Sequence, residues 1–220
     1  KVGIHNLIVD TGPDFRSQVL KFGIRRVDAV LFTHTHADHI FGLDDLRSYN
    51  FAQRGAIPLF AGLEHQDEIR RVFRYVFEQN LDYIGGALPD LEMRDIGAYQ
   101  SFNLFGLEIT PLPLEHGLTL TYGFRINDFA YLTDCSGIPA RTKEHLAGLK
   151  CLMLDGLREH PHRTHFNHHS ALEQISILKP EKAFLIHISH ECDHEETNRK
   201  IQSQIYIPVS LAYDGLQIEL

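Results

Sequence analysis

The chain has 220 residues, 43% of them hydrophobic, enough to bury a core as one large domain, and it carries a net charge of -8 at pH 7. That balance excludes a surface built to hold a long nucleic-acid backbone, which needs clustered Lys and Arg, but a small anionic substrate stays compatible because bound metal ions reverse the field locally. Cys135, Cys151 and Cys192 form no C-x-x-C pair, and neither a signal peptide nor a run of eighteen apolar residues is read. The expectation is a chain without a disulfide framework, off the membrane and cytoplasmic. It opens on Lys1 just ahead of a strand, so we expect a single domain over residues 1–220 whose N-terminal segment is missing.

Asn6 to Asp10 reads as a short strand closed by Thr11-Gly12-Pro13. Asp14 to Phe22 follows as a helix with Phe15, Val19, Leu20 and Phe22 at helical intervals. The apolar run Val27 to Phe32 is a buried strand that releases Thr33-His34-Thr35-His36-Ala37-Asp38-His39, an H-x-H-x-D-H cluster. Three imidazoles and a carboxylate within six residues suit two adjacent metal ions: imidazole favours zinc, while carboxylate oxygen also accepts manganese. Asp10, at the end of the first strand, either caps the next turn or orients a ligand imidazole by accepting its other N–H.

Ile40, Leu43 and Leu46 then recur at helical spacing, with Phe41 and Tyr49 extending the apolar face and Asp44, Asp45 and Arg47 turned to solvent. Ile57 to Phe60 is a strand, and Glu64 to Gln79 a helix with Ile69, Val72, Phe73, Val76 and Phe77 as its core stripe. Residues 80–105 show no clear period. Leu107 to Leu114, Leu118 to Ile126 and Phe129 to Thr133 read as antiparallel strands, the last two joined at Asn127-Asp128. A helix from Pro139, a strand over Leu146 to Leu154, a helix over Ser170 to Leu178 ended by Pro180, and a strand over Ala183 to Ile188 follow. Leu211 to Leu220 reads as a closing hairpin. Strands with interspersed helices point to an α/β sandwich of layers.

Two ions need more donors than one loop supplies. His116, Asp134 and His187 each stand where an apolar strand leaves the core, the usual place for loop-borne sites. Singly they read as a turn residue, a helix cap and a core histidine. Together they give His34, His36 and His116 for one ion, Asp38, His39 and His187 for the other, and Asp134 as a bridge.

This ordered set resembles the metallo-β-lactamase superfamily, which implies a four-layer αβ/βα sandwich; Asp rather than Cys at 134 resembles the phosphodiesterase, ribonuclease Z and glyoxalase branches. The phrases Asp10 to Arg16, Thr33 to Arg47, Leu132 to Ser136, Thr164 to Asn167, Ile186 to His190 and Ala212 to Leu216 resemble the PhnP group of cyclic phosphodiesterases. That resemblance implies two Mn2+ or Zn2+ ions and hydrolysis of ribose 1,2-cyclic or nucleoside 2',3'-cyclic phosphates. It also implies His165 as the general acid and a cysteine-based structural zinc site, which would lie upstream of Lys1. His165 is the catalytic candidate together with Asp38, while His190, His194 and Cys192 read as bystanders. Expected partners are a small phosphodiester substrate and a second copy of the chain in a homodimer. The rival readings are a ribonuclease Z-like nuclease, which needs a tRNA-clamping arm, a glyoxalase II-like thioesterase, and a non-catalytic metal-binding module.

Overall fold

The first passage of strand, helix and strand folds as its hydrophobic pattern dictates. In this computed structural model, which describes residues 3–78 and 88–219, β1 (Leu7–Val9) leads through α1 (Phe15–Lys21) to β2 (Ala29–Leu31). Then come α2 (Ala37–Ile40), a 3-10 turn over Leu43–Leu46, α3 (Arg47–Gln53), β3 (Ile57–Ala61), α4 (Leu63–Val72), α5 (Arg74–Phe77) and β4 (Leu91–Asp95). The four strands form an all-parallel sheet in the order β1-β2-β3-β4. All three residues of β2 are buried, the mark of a parallel strand covered on both faces. Val30, Phe32, Ile40, Leu43, Leu46 and Ile69 fill the core around it. Each such side chain contributes about 1.5–3 kcal/mol by leaving water.

From residue 98 the remaining elements are β5 (Phe102–Leu104), β6 (Leu107–His116), β7 (Thr119–Ile126), β8 (Phe129–Leu132), α6 (Ala140–Glu144), β9 (Cys151–Asp155), α7 (His168–Leu178), β10 (Lys182–Ile186), α8 (His194–Gln202) and β11 (Val209–Leu211). Their seven-stranded sheet has the order β11-β10-β9-β8-β7-β6-β5, antiparallel from β5 to β8 and parallel from β8 to β11. Its core gathers Leu112, Leu132, Leu152, Leu154, Ile175 and Leu185. The chain thus divides into two compact units, Lys1–Gly97 and Ala98–Leu220, each with its own sheet. No described helix is long and apolar enough to cross a membrane.

Several local expectations change. The 64–79 helix breaks at Phe73, whose φ of -106° and ψ of 41° leave the helical region, and Gln79 lies outside the described residues. Leu20 and Phe41, read as apolar-face residues, are 73% and 57% exposed, and Asp44 and Asp45 are half-buried. The Leu146 to Leu154 strand begins only at Cys151 and runs through Asp155. Among the described residues the closing hairpin does not form, Leu220 lying outside them: β11 instead pairs in parallel with β10. Strand β4 and helix α8 carry too few apolar residues to announce themselves, and β5 is only three residues long; α8 is anchored by Ile201 alone among its buried residues.

Candidate metal centre

Five strand ends among the described residues hold a non-glycine residue in the left-handed backbone region: Phe105 after β5 and Asn127 after β7 sit in hairpin turns, whereas Asp10 after β1 (φ 59°), Asp134 after β8 (φ 49°) and His187 after β10 (φ 59°) are candidate site residues. Each costs on the order of 1–3 kcal/mol and persists because its surroundings fix it, a pattern that clusters at functional sites.

In the first unit, Asp10 organises the histidine loop. Its Oδ1 accepts the Thr33 N–H at 2.8 Å, and its Oδ2 accepts the Thr33 hydroxyl at 2.8 Å and lies 2.7 Å from His39 Nδ1. Of the two roles open to Asp10, orienting an imidazole is the one seen. With Nδ1 turned to the carboxylate, His39 presents Nε2, which lies 3.4 Å from Asp38 Oδ2. His34 Nε2 lies 2.9 Å from His36 Nδ1. His34 and His39 are buried while His36 and Asp38 are exposed, so the loop offers a rooted pair and an accessible pair of donors. Gly12 holds the loop from beneath: a Cβ there would sit 2.5 Å from the Asp38 carbonyl oxygen.

In the second unit, His116 closes β6. Its Nδ1–H donates to the Thr164 carbonyl at 2.7 Å, leaving Nε2 3.9 Å from Asp134 Oδ2. Gly117, at φ 61°, begins the turn to β7 where a Cβ would meet Thr164 Cγ2 at 2.7 Å. Asp134 is 2% exposed; its Oδ1 accepts the Thr133 hydroxyl at 2.7 Å and faces His187 Nε2 at 3.4 Å. His165 Nδ1 lies 2.7 Å from Asp155 Oδ2, and its Nε2 lies 4.0 Å from Asp134 Oδ2. The His165 and His187 rings stack with centres 4.8 Å apart at 9°. Asp134 is therefore no helix cap, since α6 starts at Ala140 behind Pro139.

The donors of both units are of a kind that holds divalent ions. Ligands bound to one ion at about 2.0–2.2 Å lie roughly 3–4 Å from each other, and that is the spacing of the outward nitrogens from the Asp38 and Asp134 carboxylates. Neutral imidazole Nε2 and carboxylate oxygen suit zinc and manganese. The structure brings His34, His36, Asp38, His39 and Asp10 together in one unit, and His116, Asp134, His165 and His187 together in the other.

Asp155 is the site residue that sequence reasoning missed. It ends an apolar strand, CLMLD, much as Asp10 follows LIV, but a strand read one residue short left it in the loop. It is fully buried and holds both His165 and the Cys135 N–H, the latter at 2.8 Å. Burial raises its carboxyl above the usual carboxylate range, and the His165 hydrogen bond pulls it back. Burial also pushes the Cys135 thiol well above its ordinary value, so it is inert near neutrality. His65, on the first turn of α4, is buried and lowered by that burial; no sequence signal set it apart.

The fold is that of a known superfamily. The Beta-lactamase superfamily domain matches residues 5–188, and the chain belongs to that family. Within it the chain is PhnP-like and has the metallo-β-lactamase fold, an α/β sandwich: a solved diphosphatase of the PhnP family is 39% identical, with a TM-score of 0.85, over 97% of this chain and 79% of that one. An octanoyltransferase of Porphyromonas gingivalis (strain ATCC BAA-308 / W83) is 35% identical over 96% of this chain and 42% of its own length. A ribonuclease Z of Limosilactobacillus reuteri (strain DSM 20016) is 28% identical over 55% of this chain and 38% of its own. The chain thus spans less than half the length of these curated relatives. Human tRNase Z, short form, shares the fold, with a TM-score of 0.72 at 17% identity over 98% of this chain and 88% of that one.

Proposed function

We propose that the chain is a hydrolase of small cyclic phosphodiesters, of the ribose 1,2-cyclic or nucleoside 2',3'-cyclic kind, working with two divalent ions, Mn2+ or Zn2+. The ligand set is His34, His36 and His116 for one ion, Asp38, His39 and His187 for the other, and Asp134 shared between them. Such ions, when bound, lower the pKa of a water and neutralise charge that grows on the phosphoryl group. The remaining work falls to the chain's own residues. Protonated His165 gives its Nε2 proton to the departing alkoxide while Nδ1–H stays on Asp155, whose carboxylate steadies the ring and its charge. His39, held by Asp10, and His116, held by the Thr164 carbonyl, present fixed Nε2 atoms.

One observation carries the reading: His165 is clamped by a buried carboxylate at 2.7 Å, with its other nitrogen 4.0 Å from the Asp134 oxygen expected to hold metal. A thioesterase reading gives that histidine no task. The test is turnover of bis-p-nitrophenyl phosphate, 2',3'-cyclic AMP, a pre-tRNA and S-lactoylglutathione with added manganese, for wild type and His165→Ala. Turnover of the diesters alone, falling about 10²- to 10⁴-fold in the variant with metal content unchanged, is the expected result. Preferred cleavage of the pre-tRNA or the thioester would overturn it. We further propose that the chain acts in the cytoplasm and as a homodimer, to be tested by fractionation and light scattering.

A further inference from the structure

The loop between β9 and α7 carries two more histidines, His160 and His162, with no task in the reading above. His162 is exposed, and its ring centre lies 5.0 Å from that of His165. Its Nδ1 lies 3.3 Å from the backbone nitrogen of Thr164 and 3.3 Å from the Thr164 hydroxyl. A backbone N–H can only donate, so Nδ1 is the acceptor and the ring proton sits on Nε2. The ring is thus fixed at one nitrogen and offers a donor at the other, beside the proposed general acid.

We propose that His162 is a substrate-binding residue whose Nε2–H donates to an anionic oxygen of the phosphodiester, on the side of the leaving group that His165 protonates. The proposal rests on the phosphodiesterase reading and names a residue that it leaves out. The rival role is purely structural and runs through the other nitrogen: Nδ1 steadies Thr164, whose carbonyl orients His116 at 2.7 Å. The two roles are separable, because a Gln amide reaches about as far as Nε2 and an Asn amide about as far as Nδ1.

The experiment measures kcat and KM for bis-p-nitrophenyl phosphate with manganese, together with bound metal, for wild type, His162→Ala, His162→Asn and His162→Gln. Loss of one hydrogen bond to a charged oxygen is expected to raise KM about tenfold in the Ala and Asn variants. In those variants kcat stays within about twofold and metal content is unchanged, as a loss of uniform binding requires. Gln is expected to recover most of the affinity. An unchanged KM in His162→Ala, or rescue by Asn but not Gln accompanied by restored metal content, would overturn the proposal while leaving the phosphodiesterase reading standing. A wild type inert towards every diester would overturn both.

Discussion

Asp155 shows how much one buried carboxylate decides. It fixes His165 through Nδ1, so that the imidazole can carry charge without turning. Asp155→Asn keeps the volume but removes the charge that supports the imidazolium, and phosphodiester turnover is expected to fall about 10²-fold or more with bound metal unchanged. Loss of metal together with activity would instead assign Asp155 to the metal centre. Asp28 makes a prediction about pH. Burial would raise its carboxyl, but the Asn6 N–H, the Arg26 guanidinium and His5 outweigh that and hold it below the ordinary value. A depressed folded-state pKa means stability present above the unfolded value and lost as pH falls through the folded one. Asp28→Asn is therefore expected to cost about 1 kcal/mol at pH 7 after solvent screening, a difference that begins to shrink near the unfolded value of about 4 and closes only as pH falls through the lower folded one. Urea titrations of both proteins at pH 7 and pH 3 would check it; a difference at pH 3 as large as at pH 7 would contradict the linkage.

At the scale of the element, legibility followed burial. Strands β2, β3 and β10, rich in apolar residues, are plain in the sequence, as is the strand-end position of His116, Asp134 and His187, whereas β9 is read with both ends misplaced. Strand β4, LEMRD, hides because its side chains are largely half-exposed or exposed, and β11 pairs in parallel through a contact that no local pattern encodes. The partner of His165 was hidden for a related reason: which carboxylate reaches an imidazole depends on how strands pair, and Asp155 and His165 meet only because β9 ends where it does. The Gly12 turn, by contrast, is readable and testable. Gly12→Ala sets a methyl against the Asp38 carbonyl and is expected to cost about 1–3 kcal/mol by overpacking. Chemical denaturation would measure that cost, and a variant as stable as wild type would show that the two loops part without strain.

Across the whole molecule, two sheets with separate hydrophobic cores each contribute donors of a kind suited to divalent ions. An ion that binds the folded chain and not the unfolded one stabilises it by mass action, about 2.7 kcal/mol at a hundredfold excess over Kd. Chelation is therefore expected to lower Tm by several degrees, and re-addition of manganese or zinc to restore it, as followed by calorimetry; a Tm indifferent to both would argue against a resident ion.

The left-handed turns at Asp10, Asp134 and His187 also limit which replacements these positions tolerate. Asparagine enters that conformation readily, whereas valine or isoleucine meets the following carbonyl and forces the turn open. A charge can thus be erased at position 134 with the backbone left intact, but a branched apolar residue cannot take that place without reshaping the strand's exit. Drift at such corners is channelled toward a few small polar side chains, which keeps a disabled centre only one substitution from repair.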